Sequence, residues 1–104
     1  MASTEDIEQA AQILGRAAGP GAKVILFGSH ARDQARHHGD VDFLVLKERV
    51  TDPIGDAVHL RSLLRGLGPV DIVVMSLAEA DDWSSVPNTL AHDALAEGRV
   101  LVET

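Results

Sequence analysis

Three short, almost unbroken aliphatic runs decide most of what this chain can become. They are Lys23-Val24-Ile25-Leu26-Phe27, Asp40-Val41-Asp42-Phe43-Leu44-Val45-Leu46 and Val70-Asp71-Ile72-Val73-Val74-Met75. Continuous apolar runs of this length, bounded by turn residues, read as strands buried on both faces. The segments between them carry helical spacing. Ile7, Ala10, Ala11, Leu14 and Ala18 form one stripe. Ser3 or Thr4 can cap it, Glu5 and Asp6 suit its positive end, and Gly19-Pro20-Gly21 stops it. Ala57, Leu60, Leu64 and Leu67 form a second stripe, entered through Asp52-Pro53 and broken between Gly66 and Pro69. Ser85-Val86-Pro87 reads as another helix entry, because proline fits a first turn. Leu90, Ala91, Ala94 and Leu95 would be its apolar face and Gly98 its C-terminal cap. Residues 30–36 read as a helix and 100–102 as a closing strand. This alternation predicts an α+β (α/β-like) chain, with a mixed or largely parallel sheet of three to four strands packed by helices.

A length of 104 residues suits one domain spanning 1–104. The core must be aliphatic, since Phe27, Phe43 and Trp83 are the only aromatics within a hydrophobic fraction of 45%. The absence of cysteine removes disulfide and thiolate chemistry and fits a reducing cytosol. No apolar run approaches the ~20 residues of a membrane span. The acidic Met-Ala-Ser-Thr-Glu-Asp start lacks the basic and apolar parts of a signal peptide. The expectation is a cytoplasmic protein with no membrane role. A net charge of −7 without a Lys/Arg cluster argues against direct nucleic-acid binding, which counterion release would drive. A triphosphate remains compatible if metal ions bridge the negative charges.

The aspartates are the anomaly in these apolar runs. Side chains alternate along a strand, so Asp40 and Asp42 share one face, with Cα atoms roughly 6.5 Å apart. Two carboxylates so placed repel unless a cation lies between them, and oxygen-only ligands favour hard ions such as Mg²⁺. Asp71 stands in the equivalent place in the third run. If the strands are neighbours, it completes a cluster of three. The competing reading makes these aspartates strand-end residues that face water. It explains each separately but not the repeated pattern, because unpaired carboxylates are rare in apolar strands.

Leu26-Phe27-Gly28-Ser29-His30-Ala31-Arg32 leads from strand to helix. Gly28 admits close backbone approach, and Ser29 can cap the helix and offer its hydroxyl. Free N–H groups at a helix start bind phosphate. Arg32, one turn in, can reach the same anion or stay a solvated surface residue. A plain N-cap remains the alternative for Gly28-Ser29.

Taken together, Gly28-Ser29, ten intervening residues and Asp40-Val41-Asp42, with Asp71 in a later apolar strand, resemble the signature of the DNA polymerase β-type nucleotidyltransferase superfamily. The nearest likeness is to its minimal nucleotidyltransferases, and it covers roughly residues 20–103. The resemblance implies the nucleotidyltransferase fold. It implies triphosphate binding by Gly28 and Ser29, and metal binding by Asp40 and Asp42. It implies that Asp71 binds the catalytic metal and helps deprotonate an acceptor. Two Mg²⁺ ions and ATP as substrate follow. Family members often act as antitoxins of a HEPN-type RNase toxin. That implies transfer of AMP to a tyrosine hydroxyl of the partner. The chain departs from the pattern at Asp33, where glycine is common, and at Gly39, where serine is common. Neither change removes a metal ligand.

The chain has little length for an acceptor-binding lobe, which favours an acceptor delivered by a separate protein. One alternative is an antitoxin that masks its toxin by contact alone. Another is a transferase for a small molecule, with a homo-oligomer supplying the missing wall. A metal site built on His37 and His38 is weaker, since His-His-Gly-Asp in a polar loop reads as a solvated turn. Trp83 reads either as a partner-facing anchor or as cover for the sheet edge.

Overall fold

The computed structural model describes residues 4–27, 41–64 and 68–104. Along the chain, α1 is Thr4–Ala18, β1 Lys23–Phe27, β2 Val41–Lys47, α2 Pro53–Ser62, β3 Val70–Ser76, α3 Leu77–Trp83, α4 Leu90–Glu97 and β4 Arg99–Glu103. The expected helix over residues 30–36 lies outside the described residues.

The strands form one mixed sheet in the order β3-β2-β1-β4. β1 runs antiparallel to β2 and to β4, and β2 runs parallel to β3. The sheet is thus mixed and not largely parallel. Alternation of side chains splits it into two faces. Val24, Leu26, Val41, Phe43, Val45, Val70 and Val74 pack with Ile7, Ala10, Ala11 and Leu14 of α1 and Leu60 of α2. Ile25, Leu44 and Leu46 pack on the other face with Ala80 of α3 and Ala94 of α4, joined by Phe27, Val73 and Met75. β2 is buried over five of its seven positions. β3 was expected to be buried on both faces, but it lies at the sheet edge and buries only Val70 and Val74.

Local signals account for most element ends. Gly19 and Gly21 hold φ of 95° and 80° after α1, the left-handed region where glycine meets no Cβ penalty. Asp52 caps α2 by accepting the Gly55 N–H at 3.0 Å, and Pro53 fills the first helical position. The Lys47 ammonium meets the Asp56 carboxylate at 3.2 Å and ties the end of β2 to α2. α2 ends at Ser62, earlier than the stripe reaching Leu67 predicts. Leu64 still packs on the core, while Leu67 lies outside the described residues.

The helix entry at Ser85-Val86-Pro87 is corrected. α4 starts at Leu90 with Thr89 as its cap, and Asn88 has φ of 66°, which no helical residue adopts. α3 was not anticipated, although Ser76 and Glu79 carry its signal: the Ser76 hydroxyl accepts the Glu79 N–H at 3.0 Å. Gly98 does cap α4, its N–H donating to the Ala94 carbonyl at 2.7 Å. Among the described residues no helix is long and apolar enough to cross a membrane.

Candidate active site

The parallel pairing of β2 and β3 sets Asp42 opposite Asp71. The Val41 N–H donates to the Pro69 carbonyl at 3.1 Å and closes the ladder one residue before the two carboxylates. Residues opposite one another on adjacent strands share a face. Asp42 has the same parity as Leu44 and Leu46, and Asp71 that of Val73 and Met75, so both belong to the α3–α4 face. Asp42 is half-buried and Asp71 is exposed.

The two helices that pack on this face are short. α3 and α4 have seven and eight residues, about 10–12 Å of helix. β2 and β3 have seven each, about 23 Å of strand. On β2 and β3 the core of this face is built from Leu44, Leu46, Val73 and Met75, towards the C-terminal ends of those strands, and Phe27 of β1, level with Asp42, packs against it. Asp42 and Asp71 are each the second residue of their strands.

Adjacent strands lie about 4.8 Å apart. Two ionised carboxylates at that spacing repel by about 1 kcal/mol in water and about 3 kcal/mol near a protein surface. Solvent at the exposed Asp71 keeps the value towards the lower figure. A divalent cation between them reverses the sign, and a donor set made only of carboxylate oxygens suits a hard ion. Asp42 and Asp71, side by side on adjacent strands, offer donors of that chemistry. Among the described residues no group of three or more histidines and acids is placed to hold a metal. Asp40, the expected third member, lies outside the described residues, as do Gly28, Ser29, Arg32, His37 and His38. Phe27 pairs with Asp42, so the chain leaves β1 towards Gly28-Ser29 at the position beside that carboxylate.

Asp71 also lines a cleft between α2 and β3 with Ala57, Val58, Arg61, Val70 and Ile72. Val58 and Arg61 were not singled out from the sequence. Their signal was there: Ile54, Val58 and Arg61 recur at i, i+4 and i+7, and the two apolar members have no core to fill. Ile54 is 77% exposed and Val58 66%.

Comparison with known proteins bears on this arrangement. The family model described as "Nucleotidyltransferase domain" matches residues 7–92. Comparison with curated proteins gave no significant match. Among solved structures, a chain of a toxin-antitoxin crystal structure with AMP-PNP is similar at 24% identity and a TM-score of 0.60, over 93% of this chain and 73% of that one. A chain of the complex of a tri-AMPylated Shewanella oneidensis HEPN toxin with an MNT antitoxin is similar at 24% identity and a TM-score of 0.55, over 93% of this chain and 70% of that one. At this identity the likeness is one of fold, and the family match spans most of the chain. With its mixed sheet and its two in-register aspartates, the chain belongs to the nucleotidyltransferase domain family.

Proposed function

We propose that this protein transfers AMP from ATP to a hydroxyl of a HEPN-type RNase, a tyrosine side chain, and so acts as the antitoxin of that RNase. The observation that carries the reading is the pair Asp42 and Asp71, in register near the starts of adjacent parallel strands. The family match supplies the reaction class, and the two similar complexes supply the partner and the nucleotide. Asp42 and Asp71, with Asp40, would hold two Mg²⁺ ions, which when bound supply charge neutralisation for the triphosphate. We assign triphosphate contact to Gly28, Ser29 and Arg32 on the sequence pattern.

In the transfer, the acceptor oxygen forms a bond to the α-phosphorus and the bond to the departing pyrophosphate breaks. The acceptor proton passes to Asp71, which is open to an incoming protein. Asp42 is half-buried and stands on β2, the more deeply buried of the two strands. The rest of the chain contributes placement and a fixed field. AMP on the RNase adds negative charge and bulk where RNA must bind, and so blocks it. ATP and RNA substrates place the reaction in the cytoplasm.

The test is co-expression with the HEPN-type RNase, followed by intact-mass measurement of the RNase. The parent chain should add adenylate mass, and Asp42→Asn should add none while remaining folded. Neutralisation of the RNase with no added mass would replace transfer by masking through contact.

A further inference from the structure

The α3–α4 layer combines three features that its role as sheet cover does not explain. The first is exposed apolar surface. Trp83 is 46% exposed, Val86 39% and Leu90 38%. All three lie in or beside the connection between the two helices, where a solvated loop would carry polar residues.

The second is rigidity. The Val86 N–H donates to the Trp83 carbonyl at 3.0 Å. The Thr89 hydroxyl donates to the carbonyls of Val86 at 2.8 Å and Trp83 at 3.2 Å, and accepts the His92 N–H at 3.2 Å. One threonine thus caps α4 and pins the connection. Side chains displayed on a pinned backbone lose little further freedom when a partner covers them.

The third is charge. Residues 77–97 hold Glu79, Asp81, Asp82, Asp93 and Glu97 and no Lys or Arg, which accounts for five of the seven net negative charges of the chain. Acidic residues therefore flank the apolar connection, and the layer contributes no Lys or Arg.

We infer that this layer is the docking surface for the acceptor protein, that the acceptor meets it with a basic face, and that Trp83 is the central anchor. The inference rests on the function proposed above. An RNase must hold a polyanion, so its working face carries Lys and Arg. That charge matches the acidic layer, whereas the layer repels the chain's other partner candidate, a second acidic copy of itself. The location is also right. α3 and α4 cover the sheet face that carries Asp42 and Asp71. A protein seated on them lies on the same side of the sheet as the carboxylates.

Trp83 is the sole tryptophan, so it reports its own burial. The experiment titrates the chain, labelled with 5-fluorotryptophan, with the unmodified RNase, and follows the fluorine signal, the Kd and AMP transfer. The parent signal should shift on binding. Trp83→Ala should raise Kd by about 30-fold or more, the scale of a hot-spot truncation. It should raise KM for the RNase and leave kcat at saturation near the parent value. Asp81→Lys with Asp82→Lys, on exposed sites, should slow association about tenfold and flatten its salt dependence. The Asp42→Asn chain should bind like the parent and transfer nothing. Parent-like affinity and salt dependence in both surface variants would overturn the docking surface and leave the proposed function standing. A signal shift that tracks the chain's own concentration without RNase would place a second copy here and overturn it too. No binding by the parent would overturn the partner, and this inference with it.

Discussion

Replacing Asp71 by asparagine separates the electrostatic penalty of the carboxylate pair from its use. Asp71 lies opposite Asp42 on the neighbouring strand, and its side chain is exposed. The substitution keeps the shape and removes one of two like charges about 5 Å apart. Solvent limits the relief to about 1 kcal/mol or less. For a domain of this size that is a rise in Tm of up to about 4–8 °C in buffer without divalent ions. With Mg²⁺ the order reverses. An ion at ten times its Kd stabilises the parent by about 1.4 kcal/mol. The variant, lacking one ligand, should gain little. Transfer of AMP should fall at least about 100-fold, equivalent to about 2.7 kcal/mol of lost transition-state stabilisation. Thermal melts with and without Mg²⁺, beside a transfer assay on the same preparations, give all three quantities. A variant that melts lower than the parent without metal, responds to Mg²⁺ equally and transfers at the parent rate would refute the reasoning.

Two further predictions concern the scaffold. A Cβ at Gly15 of α1 would stand 2.7 Å from Val102 Cγ1 of β4, so Gly15→Val should destabilise by about 1–3 kcal/mol in urea unfolding. Transfer at low temperature should persist, since Gly15 packs on the sheet face away from the carboxylates. Thr89→Val removes the α4 cap and both hydroxyl bonds to the connection, and should lower stability by about 1–2 kcal/mol. Amide exchange at His92 should speed up beyond the global change.

The strands were legible because their residues leave little choice: an aliphatic run as dense as residues 41–46 has no polar face to offer as a surface helix. α1 and the entry to α2 were legible for the same local reason, a stripe and a cap within one stretch. Strand direction was not. The expectation of a helix over residues 30–36 favours a parallel crossover between β1 and β2, yet the two pair antiparallel. Direction depends on where a connection returns, which local composition does not encode. α3 was hidden by its length, since seven residues give only two turns and one buried position, Ala80. Its capping pair, Ser76 and Glu79, was the readable part. At residues 85–87 the preference of proline for a first turn misled, because the Thr89 cap and the left-handed Asn88 set the helix start later. For the site, the parity of Asp42 and Asp71 in their runs was visible. Their in-register pairing came only with the parallel ladder of β2 and β3.

The division between the two sheet faces explains why a chain this small can keep a carboxylate pair at all. The α1–α2 face buries Phe43, Leu14, Val24, Val41 and Val45 completely, and its apolar side chains meet a helix of fifteen residues. Full burial of such side chains contributes roughly 1.5–3 kcal/mol each, so that face alone outweighs a repulsion of about 1 kcal/mol between Asp42 and Asp71 several times over. The opposite face needs less cover and has less, two helices shorter than the strands they lie on. Lengthening either helix across the starts of β2 and β3 would gain apolar contact but would take the carboxylates further out of water, which is expensive for a charged group. Short helices on that face therefore reconcile a stable sheet with an exposed Asp71. Trp83, the last residue of α3, stands half-exposed where that helix gives way to the connection with α4.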